Sequence, residues 1–307
     1  MKLLLSHIAD LDGVTPVILL NLLQENFEYQ LFDNNDLSAF IFGRIDTNYF
    51  DKYDLIYITD LGITKECADK IMHSKYNKKF ILFDHHESHY YLNDYSFATV
   101  MEEHDDYKVC GTTLFYNYLM KEYQNDILKR NNVVMFVELV RENDTWQFTD
   151  LKDDSFNLNN LFAFYGKDKF IENYTKFLRN NKEFYFTNME LVILESLNRQ
   201  KEEYLESMKD KVMFKQIQGY NIGFVFAENY RSELGNYLAE VYYDKVDFIA
   251  IINMARHISF RGKKENNPPI KFASLYGGGG HPLACALKYP SDLKDKIIDY
   301  IFGEECK

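Results

Sequence analysis

Short apolar runs that end in an acid or a histidine recur along the first ninety residues. Lys2–Ser6, Asp54–Thr59 and Lys79–Phe83 are such runs, and the stretches between them carry apolar residues at helical spacing. A short apolar run is typical of a buried parallel strand. Strands that alternate with helices predict an α/β fold, with a doubly wound, mainly parallel sheet in the N-terminal part.

Helix starts are predicted from capping residues. Thr15-Pro16 predicts a helix that begins after the first strand, with Thr15 as its cap and Pro16 at its first position. Thr64 is predicted to cap a helix that runs to about Tyr76. Cys110 is expected to start a further helix that reaches Glu122.

The pattern changes after about residue 186. Residues 187–211 are helical in pattern and heavily charged, which predicts a long helix connecting two domains, 1–186 and 212–307. The second domain is predicted to be a smaller α/β unit with strands such as Val212–Ile217 and Tyr220–Ala227. Gly277–Pro282 is predicted to be an ordered loop before a helix start at Leu283–Ala286, and its exposed N–H groups can cradle an anion.

Charge and cysteine content narrow the class of protein. The formal net charge of −12 argues against a surface that tracks long nucleic acid, but permits a short anionic substrate. The four cysteines, including Cys306, show no paired spacing, which suits a reducing cytosol. The early apolar run is interrupted too soon for a signal peptide, and no stretch approaches a membrane span. We therefore expect a cytoplasmic protein; a homodimer is left open.

Acids and imidazoles cluster where the predicted strands end, which is where open α/β sheets bind ligands. Neighbouring side chains diverge, so one of His85 and His86 can bind a metal while the other faces a substrate. Mixed oxygen and nitrogen donors suit Mn²⁺, with Fe²⁺, Co²⁺ or Zn²⁺ as alternatives. Each segment alone is also compatible with a polar turn or a helix cap. The candidates after predicted strands are His7, Asp10, Asp12, Asp60, Asp84, His85 and His86; Asp144 follows a predicted buried helix and would be a weak candidate alone.

In order along the chain, these motifs resemble those of the DHH phosphoesterase superfamily with a DHH-associated C-terminal domain. The likeness covers Ser6–Gly13, Asp60, Asp84-His85-His86, Asp144 and Gly277–Pro282, and so spans nearly the whole chain. The opening is most similar to the shorter branch of the bacterial nano-RNases, which are oligoribonucleases that degrade very short RNA. Ile8-Ala9 here fill a shorter gap than relatives usually have.

The resemblance implies a role for each candidate. His7, Asp10 and Asp60 would hold one metal, and Asp12, Asp60, His85 and Asp144 the second, so that Asp60 bridges two Mn²⁺ ions. His86 would face the scissile phosphate, and Asp84 would orient a histidine. The implied substrate-binding residues of the second domain are Arg261, Gly278, Gly279, Gly280 and His281.

The implied activity is hydrolysis of short oligonucleotides to nucleoside monophosphates by two-metal activation of water. The same chemistry would serve a phosphodiesterase of cyclic dinucleotides or their linear products, or a 3′-phosphoadenosine 5′-phosphate phosphatase. A pyrophosphatase of the family fits less well, because those members lack this glycine-histidine segment. An exonuclease for long DNA fits less well because the chain is acidic overall. A non-catalytic nucleotide-binding protein of this family is the alternative from another class.

Overall fold

The computed structural model describes residues 1–33, 36–147, 153–255 and 257–303, which form two compact units, Met1–Glu195 and Ser196–Lys307. A 20-residue helix, Asn188–Ser207, contains the boundary between the units. Among the described residues, no helix is both long and apolar enough to cross a bilayer. Cys67, Cys110 and Cys285 are free and buried, and Cys306 lies outside the described residues.

The first unit is a parallel sheet with helices on both faces. In chain order its elements are β1 (Lys2–His7), α1 (Leu11–Leu22), β2 (Phe27–Phe32), α2 (Asp36–Phe42), β3 (Leu55–Thr59), α3 (Lys65–Met72), β4 (Phe80–Asp84), a 3₁₀ segment (Glu87–Asp94), β5 (Ala98–Val100), β6 (Glu103–His104), β7 (Tyr107–Lys108), α4 (Gly111–Tyr123), α5 (Asn131–Asp144), α6 (Asp154–Tyr165), α7 (Lys167–Asn180) and α8 (Asn188–Ser207).

Strand order places a ligand site at one edge of this sheet. Five strands run parallel in the order β2-β1-β3-β4-β5, while β6 and β7 form a separate antiparallel hairpin. The chain leaves β1 towards β2 and returns to β3 on the other side of β1. Open α/β sheets bind ligands beyond the carboxyl ends of the strands at such a switch point. The predicted doubly wound parallel sheet is therefore confirmed.

Alternation along the strands builds a core on each face of the sheet. Leu3 and Leu5 of β1 pack into one cluster with residues of α2 and α3, whereas Leu4 packs into the other with α1, α4, α5 and α7. Successive side chains of a strand point to opposite faces, so both faces of a buried strand have to be apolar. These cores fix the strand ends from which the polar residues project.

The second unit contains a six-stranded mixed sheet, which confirms the prediction of a smaller C-terminal α/β unit. Its elements after α8 are a 3₁₀ segment (Lys209–Lys211), β8 (Met213–Ile217), β9 (Tyr220–Phe226), α9 (Arg231–Val241), β10 (Phe248–Ile252), β11 (Ile258–Gly262), α10 (Pro269–Ser274), β12 (Gly279–His281), β13 (Ala284–Leu287) and α11 (Leu293–Phe302). The order is β12-β13-β11-β10-β9-β8, and the β9–β10 pair is parallel.

Several local predictions are wrong. The helix start expected at Leu283–Ala286 is instead a turn into strand β13, which pairs with β11 and β12 and so satisfies its backbone groups in the sheet. The segment Gly277–Pro282 accordingly includes strand β12 and is not wholly a loop. Thr64 does cap α3 by accepting from the Cys67 N–H, but that helix ends at Met72.

Candidate active site

The first strand delivers a histidine and two aspartates around the start of α1. His7 is the last residue of β1, and Asp10 caps α1 by accepting from the Gly13 N–H at 2.9 Å. The predicted start at Thr15-Pro16 is therefore wrong by one helical turn, because Asp10 is the stronger cap. His7 Nδ1 lies 2.8 Å from Asp10 Oδ2, so the helix cap also orients the imidazole.

Pro16 lies inside α1 and leaves a carbonyl without its helical partner. A proline has no N–H, so it cannot donate to the carbonyl four residues earlier, which is that of Asp12. The Thr112 hydroxyl donates to this carbonyl at 2.8 Å. The Gly111 and Thr112 N–H groups, at the start of α4, donate to the Asp12 carboxylate at 2.7 and 2.6 Å. An anion is stabilised at a helix N-terminus, so Asp12 is held as a buried carboxylate.

Asp60 follows β3 and lies at the centre of the cluster. It is only 2 % exposed and has φ +56°, a left-handed conformation in which aspartate is tolerated better than most residues. Its carboxylate lies 3.4 Å from His7 Nδ1 and 3.5 Å from His85 Nε2. Gly111 packs against it so closely that an added Cβ would meet the Asp60 N atom at 2.9 Å.

The segment after β4 carries a carboxylate shared by two imidazoles. Asp84 is fully buried; its Oδ1 lies 2.8 Å from His86 Nδ1 and its Oδ2 lies 2.5 Å from His89 Nδ1. Burial acts to raise the pKa of Asp84, but the hydrogen bonds with the two histidines lower it. An ionised carboxylate only accepts, so His86 must donate through Nδ1 and present Nε2 elsewhere.

Asp144, the last residue of α5, completes the cluster. Its Oδ2 lies 3.2 Å from His85 Nε2, which in turn is 3.8 Å from Asp12 Oδ2. Donor atoms fall into three groups whose members lie within 4.8 Å of one another, and the first two groups share Asp60. These groups are His7, Asp10 and Asp60; Asp60, Asp84, His85 and His86; and Asp12, Cys110 and Asp144.

Several of these buried atoms have no hydrogen-bond partner among the described residues. They are both carboxylate oxygens of Asp60, Nε2 of His85 and Oδ2 of Asp144. Burial, followed by the charge of Asp12, raises the pKa of Asp60 well above its usual range and that of Asp144 to about 7. The carboxylate of Asp10 and then that of Asp60 raise the pKa of His7 to about 10. The cluster therefore has an excess of buried negative charge.

Comparison with known proteins shows to which family the chain belongs. The model of the DHH family, N-terminal domain, matches residues 3–138. Oligoribonuclease NrnB of Bacillus subtilis (strain 168) is 30% identical over an alignment covering 97% of this chain and 75% of that protein. The chain belongs to the DHH family. The resemblance inferred from its motifs is thereby confirmed, and the chain is a member of a phosphoesterase family.

Solved structures of other proteins share the fold at low sequence identity. A pGpG-specific phosphodiesterase, PggH from Vibrio cholerae, aligns with a TM-score of 0.55 at 14% identity, covering 98% of this chain and 97% of that one. RecJ from Thermus thermophilus, solved with Mn²⁺, gives a TM-score of 0.51 at 12% identity over 97% of this chain and 52% of RecJ.

The donor set of this DHH protein fits divalent cations. The unpartnered oxygens of Asp60 and Asp144 and the unpartnered nitrogen of His85 are buried together, and an ion would satisfy all of them. Carboxylate and imidazole donors suit Mn²⁺ and neighbouring first-row ions. All eight predicted residues of the first unit are therefore brought together. Their individual roles stay predictions.

The predicted substrate-binding residues of the second unit lie on adjacent strands. Arg261 of β11 and His281 of β12 both pair with Ala284 of β13, one on each side, so they share one face of the sheet. Arg261 is half-buried and donates to the Ser232 hydroxyl at 2.9 Å, while His281 is exposed. Gly278–Gly280 lead into and form β12, and Gly278 packs so closely that an added Cβ would meet the Ala286 carbonyl oxygen at 2.7 Å.

Sequence reasoning missed four residues that build the site. His89 was not identified, although it follows the Asp84-His85-His86 motif by one 3₁₀ turn. Cys110, Gly111 and Thr112 were identified as a helix start but not as part of the site. A helix N-terminus in a chain with a nearby carboxylate cluster is an anion-binding signal, and it could have pointed to these residues.

Proposed function

We propose that this DHH protein is a metal-dependent phosphodiesterase, using Mn²⁺, that hydrolyses short oligonucleotides to nucleoside monophosphates. The observation that supports this most directly is the group of buried, unpartnered donor atoms at the switch point of a parallel sheet. The oligoribonuclease relative supports the substrate class. A net charge of −12 favours a short substrate over a long nucleic acid track.

The distances between the donor atoms support one assignment of these residues as ligands of two ions. We assign His7, Asp10 and Asp60 to one ion, and Asp12, Asp60, His85 and Asp144 to the other. Asp60 is the shared ligand because its two oxygens approach His7 and His85 respectively, at 3.4 and 3.5 Å. Bound divalent ions would supply Lewis-acid stabilisation of charge on the phosphate and lower the pKa of the attacking water.

His86 is assigned to the substrate. Its hydrogen bond to Asp84 is the largest cause of a raised pKa, which favours an imidazolium that holds a proton on Nε2 as well as on Nδ1. The side chain is half exposed, so Nε2 can donate to a phosphate oxygen or to the departing ribose oxygen. Asp84 and His89 hold the ring in place and are positioning residues.

Selectivity for short nucleotides is assigned to the second unit. The metal-binding residues with their ions would recognise a phosphodiester, a group common to all nucleic acids, so selectivity has to come from other contacts. We propose that Arg261 and His281, with Gly278–Gly280, bind the part of the substrate away from the scissile phosphate. An arginine can bind a phosphate with two parallel hydrogen bonds, and the shared register of Arg261 and His281 with Ala284 places both side chains on one face of the sheet.

A length ladder tests the proposal. Purified protein with Mn²⁺ is incubated with RNA and DNA chains from dinucleotides to about two dozen nucleotides, with cyclic dinucleotides and with 3′-phosphoadenosine 5′-phosphate, and products are resolved over time. We expect nucleoside monophosphates from the shortest linear chains, and rates that fall with length. Turnover only of cyclic dinucleotides, or only of the terminal phosphate, would contradict the proposed substrate.

Matched variants test whether the observed turnover depends on the proposed site. Asp60→Asn should lose turnover, whereas Asp94→Asn removes the same charge from an exposed position and should retain it. Metal content measured on both proteins distinguishes loss of the site from misfolding. Equal turnover by wild type and Asp60→Asn would point to a contaminating nuclease or to a wrong assignment of Asp60.

A further inference from the structure

A cavity beside the catalytic residues is not used by the chemistry described above. It measures about 290 Å³ and is lined by His85, His86 and Asp144 together with Glu102, Lys108 and Trp146. Small-ligand pockets usually measure about 300–1,000 Å³. This cavity is therefore sized for a group such as one nucleoside and is continuous with the residues assigned to the scissile phosphate.

Trp146 combines two unfavourable features at the edge of this cavity. It follows the end of α5 with φ +57°, a left-handed conformation that is usually occupied by glycine at this position after a helix. Its side chain is also 61 % exposed. Strained non-glycine residues cluster at functional sites, and a large exposed ring beside such a site is suited to stacking on a flat ligand.

Arg141 ties the two walls of the cavity together. Its guanidinium is buried and donates to the Lys108 carbonyl at 3.3 Å and to the side-chain oxygen of Gln147, the residue after Trp146. The same guanidinium lies over the Tyr107 ring, 4.3 Å from its centroid. The hairpin that carries Lys108 and the segment that carries Trp146 are thus held before any ligand binds, which lowers the entropic cost of binding.

Lys108 supplies a positive charge in this acidic protein. Its side chain is half-buried, and no carboxylate among the described residues lies within 4.0 Å of its ammonium group. An ammonium group without a carboxylate partner, on a residue that lines the same cavity as His85 and Asp144, is available to an anionic ligand.

We propose that this cavity is a nucleobase subsite, in which Trp146 stacks on a base of the substrate and Lys108 attracts the adjoining phosphate. The inference rests on the proposed function and adds the residues that hold the base next to the scissile phosphate. Stacking on an aromatic side chain is sequence-tolerant, because every base has a π-face. The subsite therefore accepts all four bases.

Fluorescence tests binding without turnover. Trp146 is the single tryptophan of the chain, so the intrinsic emission reports this residue alone. Adenosine 5′-monophosphate is titrated into the protein with Mg²⁺, alongside ribose 5-phosphate, which has the same sugar and phosphate but no base. We expect saturable quenching by the nucleotide and little by the sugar phosphate. Equal responses to both ligands, or none to the nucleotide, would overturn the subsite.

Substitution of Trp146 separates stacking from architecture. Trp146→Gly removes the ring and suits the left-handed backbone, so the variant should still fold, which thermal unfolding checks. Trp146→Phe keeps a ring and the backbone strain. On an ordinary dinucleotide, kcat/KM should fall about tenfold in the glycine variant, which is ~1.4 kcal/mol, and much less in the phenylalanine variant. On a dinucleotide made abasic at the stacked residue, the three proteins should be equal.

Lys108→Gln should weaken the binding of adenosine monophosphate and of ribose 5-phosphate by the same factor. An exposed control, Lys169→Gln, should weaken the binding of neither ligand. Failure of this inference is distinguishable from failure of the proposed function. If wild type releases no monophosphate from dinucleotides, the proposed function is wrong. If wild type is active and Trp146→Gly matches it on both the ordinary and the abasic dinucleotide, only the subsite is wrong.

Discussion

Asp60→Asn is expected to stabilise the metal-free protein while abolishing its metal-dependent stabilisation. In the metal-free state the Asp60 carboxylate is buried with both oxygens unpartnered, close to the charges of Asp12, Asp10 and Asp144. Asparagine has the same shape, carries no charge and tolerates the left-handed conformation at φ +56°. The substitution therefore removes a repulsive charge without adding backbone strain, which an alanine would not achieve.

The size of the effect follows from burial. A buried polar group without a partner costs about 1–3 kcal/mol and a charged one more, and asparagine removes this additional cost of the charge. For a unit of 195 residues, each kcal/mol corresponds to roughly 2–4 °C in melting temperature, so the metal-free variant should melt several degrees higher than wild type. Wild type should gain about 2.7 kcal/mol from Mn²⁺ at a hundredfold excess over its Kd, and the variant much less.

Thermal unfolding with a chelator and with Mn²⁺ measures both quantities. The variant should be the more stable protein in chelator and the less stable one in Mn²⁺, whereas Asp94→Asn should follow wild type in both. A variant that is destabilised in chelator would refute the reasoning, because it would mean that the Asp60 carboxylate stabilises the fold without a metal.

Further predictions concern the neighbouring residues. His86→Ala should keep its metal content and lose most activity; loss of one ion on metal analysis would contradict its assignment to substrate. His89→Phe should lower kcat while changing KM only slightly and leaving metal content unchanged, because His89 acts through Asp84. An unchanged kcat would mean that His89 has no part in the reaction. Burial raises the pKa of Asp144 to about 7 in the folded metal-free protein, which therefore binds more protons than the unfolded chain. Stability to urea should then fall as the pH rises from about 5 to about 8. This loss of stability should be smaller in Asp144→Asn. Arg261→Ala should lower kcat/KM on dinucleotides at least about tenfold and spare bis-p-nitrophenyl phosphate; equal losses on both would place Arg261 in the chemistry.

The parallel sheet and most of the candidate site could be predicted because both follow from local sequence. Apolar runs that end in Asp60 and Asp84 indicate strands, and the carboxyl ends of parallel strands meet at one edge. No knowledge of distant contacts is needed for that step. The family resemblance added Asp144, which local pattern alone places only at the end of a helix.

The parts that could not be predicted depend on contacts between distant segments. Pro16 suggested a helix start, but its missing N–H is compensated by Thr112, almost a hundred residues away. Strand β13 resembled a helix start because alanine and leucine favour helices, and its pairing with β11 and β12 overrode that preference. The place of Trp146 beside the candidate site could not be predicted, since its backbone conformation and the cavity that it lines are not visible in sequence.

The dispersal of the donor residues along the chain has a consequence for folding kinetics. They begin at His7 and end at Asp144, and Asp12 is fixed only when the start of α4 has docked. Contacts of such long sequence separation form late, because their loop-closure entropy has to be overcome first. Mn²⁺ should therefore leave the refolding rate nearly unchanged and slow unfolding instead. In a cell short of the ion, the protein would still fold, but each folded molecule would unfold sooner.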